Sequence, residues 1–247
     1  MPPLDTILIV VAVFLFAGFI KGVIGVGMPT IALALLAATL GLKAGMALLV
    51  VPTVITNIWQ ALSGGGAAAM ARRLWPFLAT AFIATWFGVG LLARADAALL
   101  LGLLGLLLCT YSGISLATPQ IPAPGRHERW LSPSVGAVSG LLTGMTGSSI
   151  VPGVLYLQTL GLSRDGLVQA IGIALTFAML ALGVSLAGHN LLPPSLGVLS
   201  AAALVPALAG MAVGRVARKS IPEVLFRRIF FAGLLLLGIY LAVRALG

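Results

Sequence analysis

Apolar runs recur along the whole chain and are interrupted only by short polar punctuation. Together with helix stop signals they predict membrane segments at about 4–24, 29–41, 44–63, 75–93 and 97–118. A second set of five follows at about 131–146, 150–161, 166–188, 194–215 and 224–246. Between the sets lies TPQIPAPGRHERW, rich in Pro and charge, which reads as a linker. The expected fold is an all-α polytopic membrane protein, a single transmembrane domain over residues 1–247, because the runs leave no room for a soluble domain.

The two sets match in detail. GVIGVGMPTIALALLAATLGL (22–42) aligns with GMTGSSIVPGVLYLQTLGL (144–162), pairing Gly22 with Gly144, Gly25 with Gly147, Pro29 with Pro152 and Gly41 with Gly161. Shared hydrophobicity does not explain shared placement of Gly and Pro. The sequence therefore predicts an internal repeat, about 4–118 and about 131–246. Five is an odd number of segments, so the second repeat enters the membrane from the opposite side and both termini lie outside the cytoplasm. Segments 29–41 and 150–161 have about 12 helical residues, roughly 18 Å, against a hydrocarbon core of about 30 Å. Each is expected to be broken or re-entrant; whether it forms a hairpin with its predecessor or the two cross separately, the count stays even and the parity is unchanged.

Composition agrees with a membrane protein: 60% of the 247 residues are apolar and 8% charged, where a soluble domain carries roughly 25% charged residues. Lys and Arg outnumber Asp and Glu by 14 to 5. In a soluble protein that balance suggests nucleic acid. Here it follows topology instead. With Arg72 and Arg73 on the cytoplasmic side, alternation also places Arg126, Arg129, Arg164, Arg215, Arg218, Lys219, Arg227 and Arg228 inside, and only Lys43, Arg94 and Arg244 outside. Trp75 and Trp130, each close behind a cytoplasmic Arg, are expected at the interface. The N-terminus lacks a positive n-region and its apolar stretch is too long for a signal-peptide core, so it is expected to remain as the first membrane segment. The lone Cys109 excludes an intramolecular disulfide and any multi-cysteine site, and reads as a small buried apolar residue.

Short segments interrupted by Gly and Pro at matching positions of two inverted repeats are the best sequence pointer to a transport site. The residues are Gly22, Gly25, Gly27 and Pro29 in one half, and Gly144, Gly147, Ser148, Ser149 and Pro152 in the other. Gly lets the chain leave the helix and approach a ligand, and Pro starts the next half-helix. A helix start presents unpaired N–H groups and a positive dipole end, an anion site to which Thr30, Thr143, Thr146, Ser148 and Ser149 add hydroxyls. Close packing of small residues between helices competes with this reading for any single Gly. Lys21, the one positive residue within a segment, either draws the anion in or snorkels to the headgroups. Asn57, Gln60, Gln158, Gln169 and Thr176 are uncharged polar groups in segments, where each must find a partner. Asn57 and Gln169 follow the broken regions and are expected to line a cavity, although such groups also join helices. Trp59 and Tyr156 either close that cavity or sit at interfaces.

Asp5, Asp96, Glu128, Asp165, Glu223, His127 and His189 all fall near segment ends or in loops. A mid-membrane carboxylate or histidine proton relay is not expected, and neither is an enzyme, a metal site or a cofactor, since no catalytic or metal-ligating cluster can be assembled within the bilayer. The expected partners are a small anion and the lipid bilayer, not nucleic acid, and a homo-oligomer is compatible with the sequence.

AGFIKGVIGVGMPTIALALLAATLGL, VVPTVITNIWQAL and LSRDGLVQAIGIALT resemble the TauE/SafE group of sulfite and organosulfonate exporters, a likeness that covers nearly the whole chain. The resemblance implies export of a small sulfur oxyanion, such as sulfite or sulfoacetate, from a bacterial cytoplasm across the inner membrane. It also places the site at the broken helices. One departure is Gly-Ser-Ser at 147–149, where the family often has a run of glycines. The reading from all this is an alternating-access anion transporter using Lys21, Gly25, Gly27, Thr30, Asn57, Thr143, Gly147, Ser148, Ser149, Gln169 and Thr176. The alternatives are a passive anion channel and a membrane subunit that carries no flux.

Overall fold

A computed structural model of the chain describes residues 3–63, 65–117 and 122–246. Residues 118–121, the start of the expected linker, lie outside the described residues. Regular structure among the described residues is entirely helical: α1 (Leu4–Ile24), α2 (Met28–Thr39), α3 (Leu42–Leu62), α4 (Ala67–Arg94), α5 (Ala97–Ala117), α6 (Glu128–Thr146), α7 (Leu155–Gln158), α8 (Arg164–Gly188), α9 (Pro194–Ala202), α10 (Leu204–Ala217) and α11 (Glu223–Arg244). Seven helical spans among them are long and apolar enough to cross a membrane: α1, α3, α4, α5, α8, α9 with α10, and α11. The chain is an all-α polytopic membrane protein.

Two helices start earlier than hydropathy predicts. α4 begins at Ala67, so Arg72 and Arg73 stand in its first turns and not in a loop. Charge ends an apolar window but not a helix, and AAAMARRL consists of good helix formers. α6 likewise begins at Glu128. Arg73 uses the extra length to reach Glu128 with a two-pronged ion pair, both contacts 2.8 Å, and also donates to the Leu160 carbonyl at 3.3 Å. Trp75 and Trp130 point outward, as expected of interface anchors, and so does Trp59.

The chain divides into two compact units, with the boundary inside α3 after Pro52. The first comprises Met1–Pro52, Asp96–Thr118 and Leu192–Gly247, and the second Thr53–Ala95 and Pro119–Leu191. In the first unit α1 crosses α10 and α5 crosses α11. A methyl group on Gly18 would sit 2.2 Å from the Ala207 carbonyl oxygen, and one on Gly22 would sit 2.4 Å from that of Met211. In the second unit α6 crosses α4, and Gly140 and Gly144 make the same approach to the carbonyls of Ala81 (2.1 Å) and Thr85 (2.4 Å). Small residues allow this because lipid supplies no hydrophobic drive between helices, so association depends on close van der Waals contact. Gly22 and Gly144, read as part of the helix breaks, are thus interior packing glycines.

Pro52 withholds an N–H from the Leu48 carbonyl, the usual consequence of Pro within a helix. Ser200 of α9, in the same unit, fills the gap: its hydroxyl donates to the Leu48 carbonyl at 2.8 Å and accepts from the Val51 N–H at 3.2 Å. In the second unit Leu74, Phe77, Leu78, Leu157, Ala170 and Ile171 form a buried core, with Tyr156 stacked on Phe77 at 6.0 Å between ring centroids. Tyr156 is therefore a core residue between helices.

Candidate functional site

In the first unit α1 ends where Gly25 adopts a left-handed conformation (φ 91°) and its N–H donates to the Lys21 carbonyl at 2.8 Å. Gly27 is left-handed as well (φ 98°), and α2 begins one residue later with Pro29 in its first turn. No side chain caps this helix start, so its first N–H groups have no intrahelical partner. Thr30 and Lys21 are both buried, with 5% and 4% of their surface exposed. That burial removes the snorkelling alternative for Lys21, since a snorkelling side chain would lie on the protein surface.

The second unit repeats the first break and then departs from it. α6 ends at Gly147, left-handed at φ 77°, whose N–H donates to the Thr143 carbonyl at 2.7 Å. Thr143 thus holds the position that Lys21 holds in the first unit. The Thr143 hydroxyl donates to the Ser139 carbonyl at 2.7 Å and lies 2.9 Å from the Ser149 hydroxyl. Thr146 back-bonds to Leu142 at 2.7 Å, and its hydroxyl accepts from the Ser148 N–H at 3.2 Å. The Ser148 hydroxyl is buried with no hydrogen-bond partner. A group of this kind normally finds one, because burial without a bond carries its whole desolvation penalty.

The expected half-helix over 150–161 is shorter and less regular than α2. Residues 150–154 form a wide turn in which the Val154 N–H reaches back to the Ser149 carbonyl at 3.3 Å and Val151 is extended (φ −114°, ψ 124°). Only four residues of α-helix follow, in α7. Only α2 therefore presents the positive end of a helix dipole, and the second break offers hydroxyls instead. Ser139, Thr143 and Ser149 line a cavity of about 10 Å3, together with Phe77, Gly153 and Leu175. That is room for about one water and not for an oxyanion.

Asn57, Gln60, Gln169 and Thr176 are buried in the second unit, and Gln158 is exposed. Asn57 is 1% exposed on α3, one turn after Thr53, whose buried hydroxyl has no partner. Gln169 donates to the Ala61 carbonyl at 2.8 Å, and Gln60 donates to the Val168 carbonyl at 2.9 Å. The two amides cross between α3 and α8 and join them. Thr176 back-bonds to the Gly172 carbonyl at 2.7 Å. Sequence reasoning missed Ser200, Thr53 and Ser139; a signal existed for Ser200 only, in the need of the Leu48 carbonyl, to which Pro52 has no N–H to give, for a donor from outside its helix. No group of three or more His, Cys, Asp or Glu able to hold a metal occurs among the described residues.

Matched glycine breaks thus close α1 and α6, with buried hydroxyls beside them. The family model described as sulfite exporter TauE/SafE matches residues 10–241. The chain belongs to this family. Membership in TauE/SafE implies a membrane transporter of small sulfur anions, and both breaks, with every residue expected at the site, lie within the matched range. Neither a curated protein nor a solved structure matches the chain.

Proposed function

We propose that this TauE/SafE chain exports sulfite or an organosulfonate such as sulfoacetate by alternating access, from an inner membrane in which both of its termini face away from the cytoplasm. The observation that carries the reading is the paired break. Gly25 and Gly147, 122 residues apart, close their helices with the same left-handed cap onto Lys21 and Thr143. The crossings behind them also correspond: α1 meets Ala207, Met211 and Gly214 of α10 as α6 meets Ala81, Thr85 and Gly88 of α4. This correspondence supports an inverted repeat whose members are interleaved, because each crossing joins a helix from one half of the sequence to a helix from the other.

The donors proposed for the anion are, in the first unit, the open first turn of α2 with Thr30 and Lys21, and, in the second, the hydroxyls of Thr143, Ser148, Ser149 and Thr176 with the amides of Asn57 and Gln169. Gly25 and Gly27 in the first unit and Gly147 in the second take the chain out of its helix beside these donors. Ser148 is the most telling of these, since its buried hydroxyl lacks a partner that an oxyanion would supply. Thr143 and Ser149 now bond each other around a space for one water. They would turn toward the anion when the segment opens, which is the movement that alternating access requires.

The test is thermal unfolding of the detergent-purified protein across sulfite, sulfoacetate, other sulfonates and small carboxylates. A bound anion raises the melting temperature with the logarithm of its concentration. Ser148→Ala should melt like the parent without ligand and lose most of the sulfite-dependent rise. The reading fails if a cation or a neutral solute stabilises the protein while no anion does. Flux in liposomes that shows neither saturation nor counter-transport would replace the exporter with a channel.

A further inference from the structure

The first unit carries an apolar groove of about 450 Å3 between α1, α2 and α11. Ile20, Ile31 and Leu35 line it opposite Phe226, Phe230 and Leu237, with Phe16 and Ile229 exposed at its rim. Gly233 lies on the α11 side, and a methyl group there would meet nothing within 4 Å. The lining offers no side-chain donor or acceptor, so the groove does not suit the transported anion. Within a membrane such a surface is filled by hydrocarbon.

Length and charge select the occupant. From Phe226 to Leu237 the groove follows α11 for about 16 Å, by the rise of a helix. This is close to the depth of one leaflet, half of a hydrocarbon core of about 30 Å. Its Phe226 end lies beside the most basic stretch of the chain: residues 215–228 hold Arg215, Arg218, Lys219, Arg227 and Arg228 against the single acid Glu223. Arg227 and Arg228 are exposed, and the Arg227 guanidinium sits 5.6 Å from the centre of the Phe231 ring, at the side of the groove helix. No described carboxylate pairs with either arginine.

We propose that the groove holds one acyl chain of an anionic phospholipid whose phosphate lies at the basic start of α11, in the field of Arg215, Arg218, Lys219, Arg227 and Arg228. The proposal is independent of the transported substrate. It is tested by native mass spectrometry of the delipidated full-length protein, titrated with phosphatidylglycerol or with phosphatidylcholine of the same acyl chains. A one-to-one adduct should form, with phosphatidylglycerol bound more tightly. The double variant Arg227→Ala/Arg228→Ala should weaken phosphatidylglycerol roughly 30-fold, at the usual strength of juxtamembrane basic residues, and leave phosphatidylcholine unchanged. Gly233→Phe fills the groove and should remove both adducts while the melting temperature holds. Gly233→Leu serves the same purpose if the larger side chain prevents folding. Equal binding of the two lipids, or undiminished binding by the filled variants, overturns the proposal. A dimer in the parent that either filled variant dissolves also overturns it, because a second copy of the chain would then occupy the groove.

Discussion

Replacing Gly144 by alanine probes the contact on which the α4–α6 crossing depends. The added methyl carbon would lie 2.4 Å from the Thr85 carbonyl oxygen and 2.7 Å from both the Gly88 Cα and the Val89 nitrogen. All three are backbone atoms, so no side chain can rotate aside and the helices must part. Overpacking costs roughly 1–3 kcal/mol, and a rigid obstacle places this case in the upper half. Alanine returns about 1 kcal/mol through its better helix propensity. The net loss is about 1–2 kcal/mol, which for a chain of this size lowers the melting temperature by roughly 2–8 °C. Gly22→Ala meets the Met211 carbonyl at 2.4 Å and the Gly214 Cα at 2.9 Å, and should fall by a similar amount. Gly113→Ala is the control, because a methyl there meets nothing within 4 Å and only the propensity gain remains. The assay is thermal unfolding in detergent of the three variants beside the parent. If Gly144→Ala and Gly22→Ala melt as high as Gly113→Ala, the crossings are not backbone contacts and the reasoning is refuted.

Three further outcomes follow from the same geometry. Gly25→Ala and Gly147→Ala place a Cβ in the left-handed region and should each lose about 1–2 kcal/mol, with Asn recovering part of it; equal stability of Ala and Gly in unfolding experiments would show that the caps are not held left-handed. Ser200→Ala strands the Leu48 carbonyl and should cost about 1–3 kcal/mol, and adding Pro52→Ala should restore stability by returning an N–H to that carbonyl, so an unrescued double variant counts against the repair. Gln60→Ala and Gln169→Ala should each lower stability by about 0.6–1.7 kcal/mol, measured by unfolding; no loss would mean that the amides do not join α3 to α8.

Most of the fold was legible because hydropathy and Gly/Pro punctuation are local properties of the chain. The ends of α1, α2, α3, α5 and α8 fall within a few residues of their predicted limits. The early start of α4 was not legible from apolarity, since Arg72 and Arg73 interrupt the hydrophobic run without interrupting backbone hydrogen bonding. At the candidate site, the sequence singled out Gly25 and Gly147 correctly as helix ends, because positive φ is a need of the single residue. It could not separate them from Gly22 and Gly144, which serve a neighbouring helix three positions earlier in the chain.

By itself, then, the sequence determined where helices run, where they break and that the chain belongs in a membrane. Which helix meets which was decided by tertiary structure: α1 takes α10 and α6 takes α4, so each crossing draws on both halves of the chain. Lipid and protein interior are almost equally apolar, so hydropathy marks a crossing segment without marking the face that a partner will cover. The same limit governs the polar residues. Gln169 had to be bonded wherever it lay, and only the fold supplied the Ala61 carbonyl as its partner while leaving the Ser148 hydroxyl without one.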